Sequence, residues 1–124
     1  NIFEQFTKMA PRFIPSSILD IGAGPGTVTL AARQIWTDVK STLIEPNRFL
    51  SAIGRKIVDG EWHTGTLENA ELPRCDLVTA GYMLNEIEFN AALIEKLWAA
   101  AGRVLVIIEP GTPQGLVVEL QREL

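Results

Sequence analysis

The stretch "SILDIGAGPGTVTL", residues 17–30, decides how this chain is read. An apolar run from Ile18 to Ile21 carries one acidic residue, Asp20, and leads into Gly22, Gly24 and Gly26 at alternate positions. Val28, Leu30, Ala31 and Ile35 then recur at helical spacing, so a helix opens at about Thr27. Glycines between a buried strand and a helix let the backbone take positive φ and let another molecule approach with no Cβ in the way. The helix offers unpaired N–H groups and the positive end of its dipole. Such a turn suits a ligand that presents a carboxylate, a phosphate or a hydroxyl.

The flanking sequence alternates strand and helix. Upstream, "NIFEQFTKMA" (1–10) places Ile2, Phe3, Phe6 and Met9 at helical spacing, ahead of the proline-bracketed "PRFIPS" loop. Downstream, "STLIEP" (41–46) reads as a second buried strand stopped by Pro46, and "NRFLSAIGRKIV" (47–58) as a helix capped by Asn47. Short strands follow near "EWHTG" (61–65) and at "CDLVTAGYM" (75–83), with only a loop between them. A helix is expected from about Leu84 to Ala101, with Ile87, Leu93, Ile94, Leu97 and Trp98 on its apolar stripe. "RVLVIIE" (103–109) is too apolar and β-branched to be a half-exposed strand. Thr112 and Pro113 then read as the cap and first turn of a last helix, in whose middle "VVELQREL" (117–124) stops. Continuous apolar strands separated by amphipathic helices predict an α/β, Rossmann-like, doubly wound and mainly parallel sheet. We read residues 1–124 as a single domain, with a helix and loop over 1–15 and the core over 16–124. The missing initiator methionine and the mid-helix stop lead us to expect a fragment truncated at its C-terminus.

Composition excludes several function classes. A formal charge of −4, from 11 basic and 15 acidic residues without a block of one sign, does not steer the chain to nucleic acid by charge alone. Cys75 and His63, the one residue of each kind, cannot build a tetrahedral zinc site, so no metal is expected, and the chain suits a reducing compartment. No apolar run approaches the roughly 20 residues of a membrane span, and none reads as a secretory leader.

In an open α/β sheet, ligands bind beyond the carboxyl ends of the strands, and the first strand-to-helix turn lies there. Glu45 ends the second strand about twenty residues on, where an acidic side chain accepts hydrogen bonds from ribose hydroxyls. Turn and carboxylate together specify a nucleoside-bearing cofactor. The dinucleotide pattern G-x-G-x-x-G would put its third glycine at position 27, which is Thr27, so an NAD(P)-dependent oxidoreductase is the weaker reading. Asp20 would sit poorly beside a pyrophosphate, yet it can attract an amino group directly or through water.

S-adenosylmethionine has an amino group, a carboxylate and a nucleoside, and no phosphate. Over residues 17–110 the chain resembles the class I S-adenosylmethionine-dependent methyltransferases, with "ILDIGAGPGT", "LIEPN", "CDLVTAGYML" and "VLVIIEPG" in the expected order. More narrowly, "DIGAGPGT", "GYMLNEI" and "EPGTPQG" resemble the ribosomal small-subunit Rsm22-type methyltransferase-like family of bacteria and mitochondria. That resemblance implies a partner in ribosomal RNA or the pre-ribosomal small subunit, in a bacterial cytoplasm or a mitochondrial matrix. It also implies a cysteine-rich, metal-binding C-terminal part, which these residues do not contain. The implied cofactor-binding set is Asp20, Gly22, Gly24, Gly26, Glu45, Pro46, Thr66, Leu67 and Gly81. Thr66 stands where many relatives place an acidic residue for the adenine amino group, which shifts adenine recognition toward the backbone around Leu67.

Catalytic candidates are Tyr82, Asn85 and Glu109, with Glu86 nearby. Helix capping accounts for Asn85 as well as chemistry does, and Glu109 equally suits anchoring of the "PGTP" turn. Asp76 reads as structural, Cys75 and His63 as packing residues, and Arg48, Arg55 and Lys56 as a solvated helix face. The acceptor signatures NPP(Y/F) and Pro-Cys are absent. A non-catalytic assembly factor that keeps the cofactor pocket is the competing function, and any RNA-binding cations would lie outside this domain or on its partner.

Overall fold

The computed structural model describes residues 2–81, 91–109 and 116–121. Its elements are α1 (Ile2–Met9), β1 (Ser17–Ile21), α2 (Thr27–Ile35), β2 (Lys40–Ile44), α3 (Arg48–Ile57), β3 (Glu61–His63), β4 (Cys75–Gly81), α4 (Ala91–Ala100), β5 (Ala101–Glu109) and β6 (Leu116–Gln121). The six strands form one sheet in the order β3-β2-β1-β4-β5-β6. The first five are parallel and β6 runs antiparallel at the edge beside β5. The strand order reverses between β1 and β4, which places the switch point directly beyond the glycine turn.

Strand alternation divides the core between the two faces of the sheet. Ile18, Leu77, Val104 and Val106 pack with Phe3, Phe6, Phe13, Ala32 and Trp36, so α1 and α2 cover one face. The aromatic rings meet edge-on, Phe6 and Phe13 at 5.4 Å between centroids and Phe13 and Trp36 at 5.8 Å. On the other face Leu19, Ile21, Val78, Ala80, Leu105 and Ile107 pack with Leu93, Leu97 and Ala100 of α4 and with Leu67 of the loop after β3. Lys96 of α4 holds that loop through the Leu67 carbonyl at 2.7 Å. At the sheet edge, α3 sits over Trp62 of β3, and Val58 at its C-cap packs with Leu43, Ala23 and Trp62. Asn47 caps it as its sequence position predicts, its side chain accepting from the N–H groups of Phe49 and Leu50.

Four local expectations are corrected. Residues 116–121 form a strand rather than a helix, because their backbone pairs antiparallel with Val104–Glu109 of β5, whose run Val104–Ile108 is apolar. Met9 is 74% exposed, so α1 packs through Phe3 and Phe6 alone among its described side chains. His63 is not a packing residue: it lies at the exposed face of β3 with its Nε2 3.3 Å from Glu61. β5 begins two residues early, at Ala101, where α4 gives way to the strand without a loop. The expected first turns of the 84–101 helix, and the Thr112–Pro113 cap, lie outside the described residues.

Helix α3 approaches β3 closely at Gly54. A Cβ there would lie 2.1 Å from the Trp62 ring, and the indole cannot swing aside because its Nε1–H donates to the Val58 carbonyl at 2.9 Å. Alanine gains about 1 kcal/mol over glycine in a helix, whereas overpacking a filled site costs about 1–3 kcal/mol. Gly54→Ala is therefore expected to lower the thermal unfolding midpoint of the full-length protein; an unchanged or raised midpoint would show that the indole gives way.

Candidate functional site

The glycine turn takes the conformation its sequence requires, with φ of 68° at Gly22, 57° at Gly24 and 94° at Gly26. It is laced to the end of β2, the neighbouring parallel strand. Gly22 and Ala23 donate their N–H groups to the Ile44 carbonyl at 2.9 and 3.0 Å. Gly24 donates its N–H to Glu45 Oε1 at 2.8 Å, and Asn47 donates to Oε2 at 2.7 Å. The Glu45 carboxylate is thus held by two backbone groups and is nearly buried. A carboxylate offers about four lone-pair sites, so the two donors orient it and leave capacity for further hydroxyl donors.

Between the two strand ends lies a cavity of about 420 Å³, within the usual range for small-molecule sites. Seven of the nine expected cofactor residues line it: Gly22, Gly24, Glu45, Pro46, Thr66, Leu67 and Gly81. Its other walls are Ile21, Pro25, Ile44, Leu50 and Gly65, which the sequence reading missed. Leu50 could have been found as the residue of α3 one turn past the proline that ends strand two. Gly65 enters because its N–H donates to the Glu45 carbonyl at 3.3 Å, a contact between distant loops that no local motif announces. A mostly apolar chamber with one oriented carboxylate matches a flat base joined to a hydroxylated sugar.

Gly26 and Asp20 stand apart from the cavity and build it from beneath. Gly26 is the N-cap of α2, and a Cβ there would meet Val58 at 2.7 Å. Lacking a side chain, it cannot cap the helix itself. Asp20 does so from β1: its Oδ2 accepts from the Thr29 N–H at 3.2 Å and the Thr29 hydroxyl at 2.7 Å, while Oδ1 accepts from the Thr79 hydroxyl of β4 at 3.3 Å. This is the acceptor normally supplied by an N-cap side chain, delivered across the turn. Asp20 is fully buried, and burial pushes its carboxyl up to about 6, against the lowering effect of the Thr29 and Thr79 bonds and with a smaller upward push from the Glu45 charge.

Glu109 closes β5, with its backbone paired to Leu116, while Tyr82, Asn85 and Glu86 lie outside the described residues. Asp76 has the structural role expected of it, accepting from the Ser16 N–H at 2.8 Å as the chain enters the sheet. Cys75 is buried, which pushes its thiol up. Among the described residues no group of three or more His, Cys, Asp or Glu could hold a metal ion, and no helix is long and apolar enough to cross a membrane.

A doubly wound sheet with a glycine turn after β1, an acidic residue at the mouth of β2 and a cavity between them is the Rossmann-like fold of the class I methyltransferases. The plantazolicin methyltransferase BpumL in complex with S-adenosylhomocysteine (SAH) superposes with a TM-score of 0.74 at 18% identity, over 86% of this chain and 44% of that one. Coclaurine N-methyltransferase, also bound to SAH, does so at 0.66 and 16%, over 87% of this chain and 34% of that one. The chain belongs to the Rsm22 family, described as mitochondrial small ribosomal subunit Rsm22, whose model matches residues 1–124. It is 25% identical to the ribosome assembly protein METTL17, mitochondrial, of Homo sapiens, over 91% of this chain and 28% of that protein. The chain thus spans under a third of that relative's length.

The burial of Asp20 makes a pH prediction. Its folded pKa of about 6 lies above the ordinary value of 3.8, so between these values the folded state binds more protons than the unfolded state. Stability contributed by Asp20 is therefore greatest below about pH 4 and is lost as pH rises to about 6. Denaturant unfolding between pH 4 and 7 is expected to show this loss in the parent protein and a flatter profile in Asp20→Asn; parallel profiles would assign the proton elsewhere.

Proposed function

We propose that this domain binds S-adenosylmethionine in the cavity between β1 and β2 and serves as the catalytic domain of a methyltransferase acting on the small ribosomal subunit, or on its RNA, during assembly. The observation that carries this reading is the Glu45 carboxylate, oriented by the N–H groups of Gly24 and Asn47 at the rim of an apolar chamber. Glu45 takes the ribose hydroxyls on its remaining lone pairs. Ile44, Leu50 and Leu67 flank the base, and Thr66 with the neighbouring backbone meets its polar edge. Gly22, Gly24 and Gly81 admit the amino-acid portion against the main chain; the Gly24 Cβ position has no heavy atom within 4 Å. Asp20 and Gly26 position the turn. Asp20 acts on the ligand's amino group only through the turn that it holds, or through water. When bound, the cofactor supplies a methyl group made electrophilic by its sulfonium, so the protein's task is to bind, orient and exclude water.

The small-subunit context rests on the family and on the human relative, and their mitochondrial descriptions support a mitochondrial matrix over a bacterial cytoplasm. Tyr82 and Asn85, which follow β4 in the sequence, and Glu109, the last residue of β5, are the residues to test for acceptor positioning. The human relative's description as an assembly protein favours one second reading: a factor that keeps the cofactor pocket without transferring methyl groups.

Calorimetric titration of the full-length protein with SAH tests the binding site. Micromolar affinity, about −8 kcal/mol, is expected for the parent. Gly24→Arg abolishes it, because the new side chain enters the cavity while the left-handed backbone costs only about 1 kcal/mol. Glu45→Ala weakens it at least ten-fold. Absence of SAH binding together with NADH binding would reinstate the oxidoreductase. Transfer of labelled methyl groups to small-subunit RNA or immature subunits, lost in Gly24→Arg, separates the enzyme from the silent factor.

A further inference from the structure

Helix α3 is turned so that its most apolar ridge is not the one that packs. Ser51, Gly54 and Val58, spaced i, i+3, i+7, face the sheet and are buried, and the Trp62 ring beneath Gly54 leaves no room for larger residues there. Phe49, Ile53 and Ile57, spaced i, i+4, i+8, form a second ridge that points elsewhere. Phe49 is 74% and Ile57 56% exposed, with Ile53 half-buried between them. Scattered exposed apolar residues need no explanation, but a continuous ridge on a helix does.

We propose that the Phe49–Ile53–Ile57 ridge is the docking surface for an acidic, amphipathic helix of a protein partner. Charge selects this occupant. With Arg55 held at the Trp62 carbonyl, Arg48 and Lys56 are the remaining cations of residues 46–58, which carry no acidic residue and are followed by Asp59, within a chain of net charge −4. Lys56 flanks the ridge, so a partner helix that lays leucine-like side chains along it meets a cation at its border. RNA fits this surface less well. Arg55 is already engaged with the Trp62 carbonyl at 3.3 Å, which leaves Arg48 and Lys56 as the α3 cations for phosphates, and RNA would leave Ile53 and Ile57 in water. The surface is separate from the cofactor cavity, which α3 lines through Leu50.

The test places a photo-reactive benzoylphenylalanine at position 57 of the full-length protein, with position 4 as the exposed control, and sequences the cross-linked segment. The expected product is an acidic amphipathic segment of another protein. A synthetic peptide of that sequence should bind the parent and lose at least ten-fold in affinity with Ile57→Glu and with Lys56→Glu, while the thermal midpoint stays unchanged. The Lys56 variant alters an exposed charge and keeps the test valid should Ile57→Glu misfold. Cross-links to RNA, to other segments of the same chain or to a second copy overturn the proposal, as does labelling no greater than at position 4.

Discussion

One buried carboxylate ties together the parts that everything else hangs on. Asp20 bonds the start of α2 through Thr29 and the middle of β4 through Thr79, so β1, its following helix and its neighbouring strand share one anchor. Burying a charge without partners is costly: burial raises the pKa of Asp20, and the three donors arranged around it act against that rise. The arrangement frees Gly26 from capping duty. Gly26 can then be a glycine, which its positive φ and the nearby Val58 both demand.

A second carboxylate extends the same logic outward. Glu45 binds the turn through the Gly24 N–H and the start of α3 through the Asn47 N–H. It serves at once as a brace for two strand-to-helix connections and as the polar wall of the cavity. Because both oxygens are held by backbone, the side chain has little conformational freedom left to lose when a ligand arrives, which is the physical content of preorganisation. The two acids divide the labour: Asp20 shapes the turn from inside, and Glu45 faces the ligand.

The outer edge of the sheet follows a different economy. β3 has only three residues, of which Trp62 alone is buried, its ring lying against Gly54 of α3. A large indole forces small residues on the facing ridge of the helix, so the apolar residues of α3 are displaced onto its solvent side. Packing of one tryptophan thereby creates the surface that we assign to a partner, in a family described by its ribosomal context.

Periodicity and turn chemistry sufficed for the order of elements as far as β5, the parallel sheet and most of the cavity, because each depends on local signals. "SILDI" can only be a buried strand, Gly22, Gly24 and Gly26 can only be a turn, and Asn47 is placed to cap whatever helix follows Pro46. Tertiary structure decided what depends on contacts between distant segments. It gave Asp20 a capping role that its position in a strand does not announce, and brought Gly65 against Glu45. It also drew residues 116–121 into the sheet beside β5, where pairing with that strand outweighed the helix start suggested by Thr112 and Pro113. The rotation of α3 is the clearest case: its apolar ridge is plain in the sequence, but only the indole of Trp62 determines that this ridge faces outward.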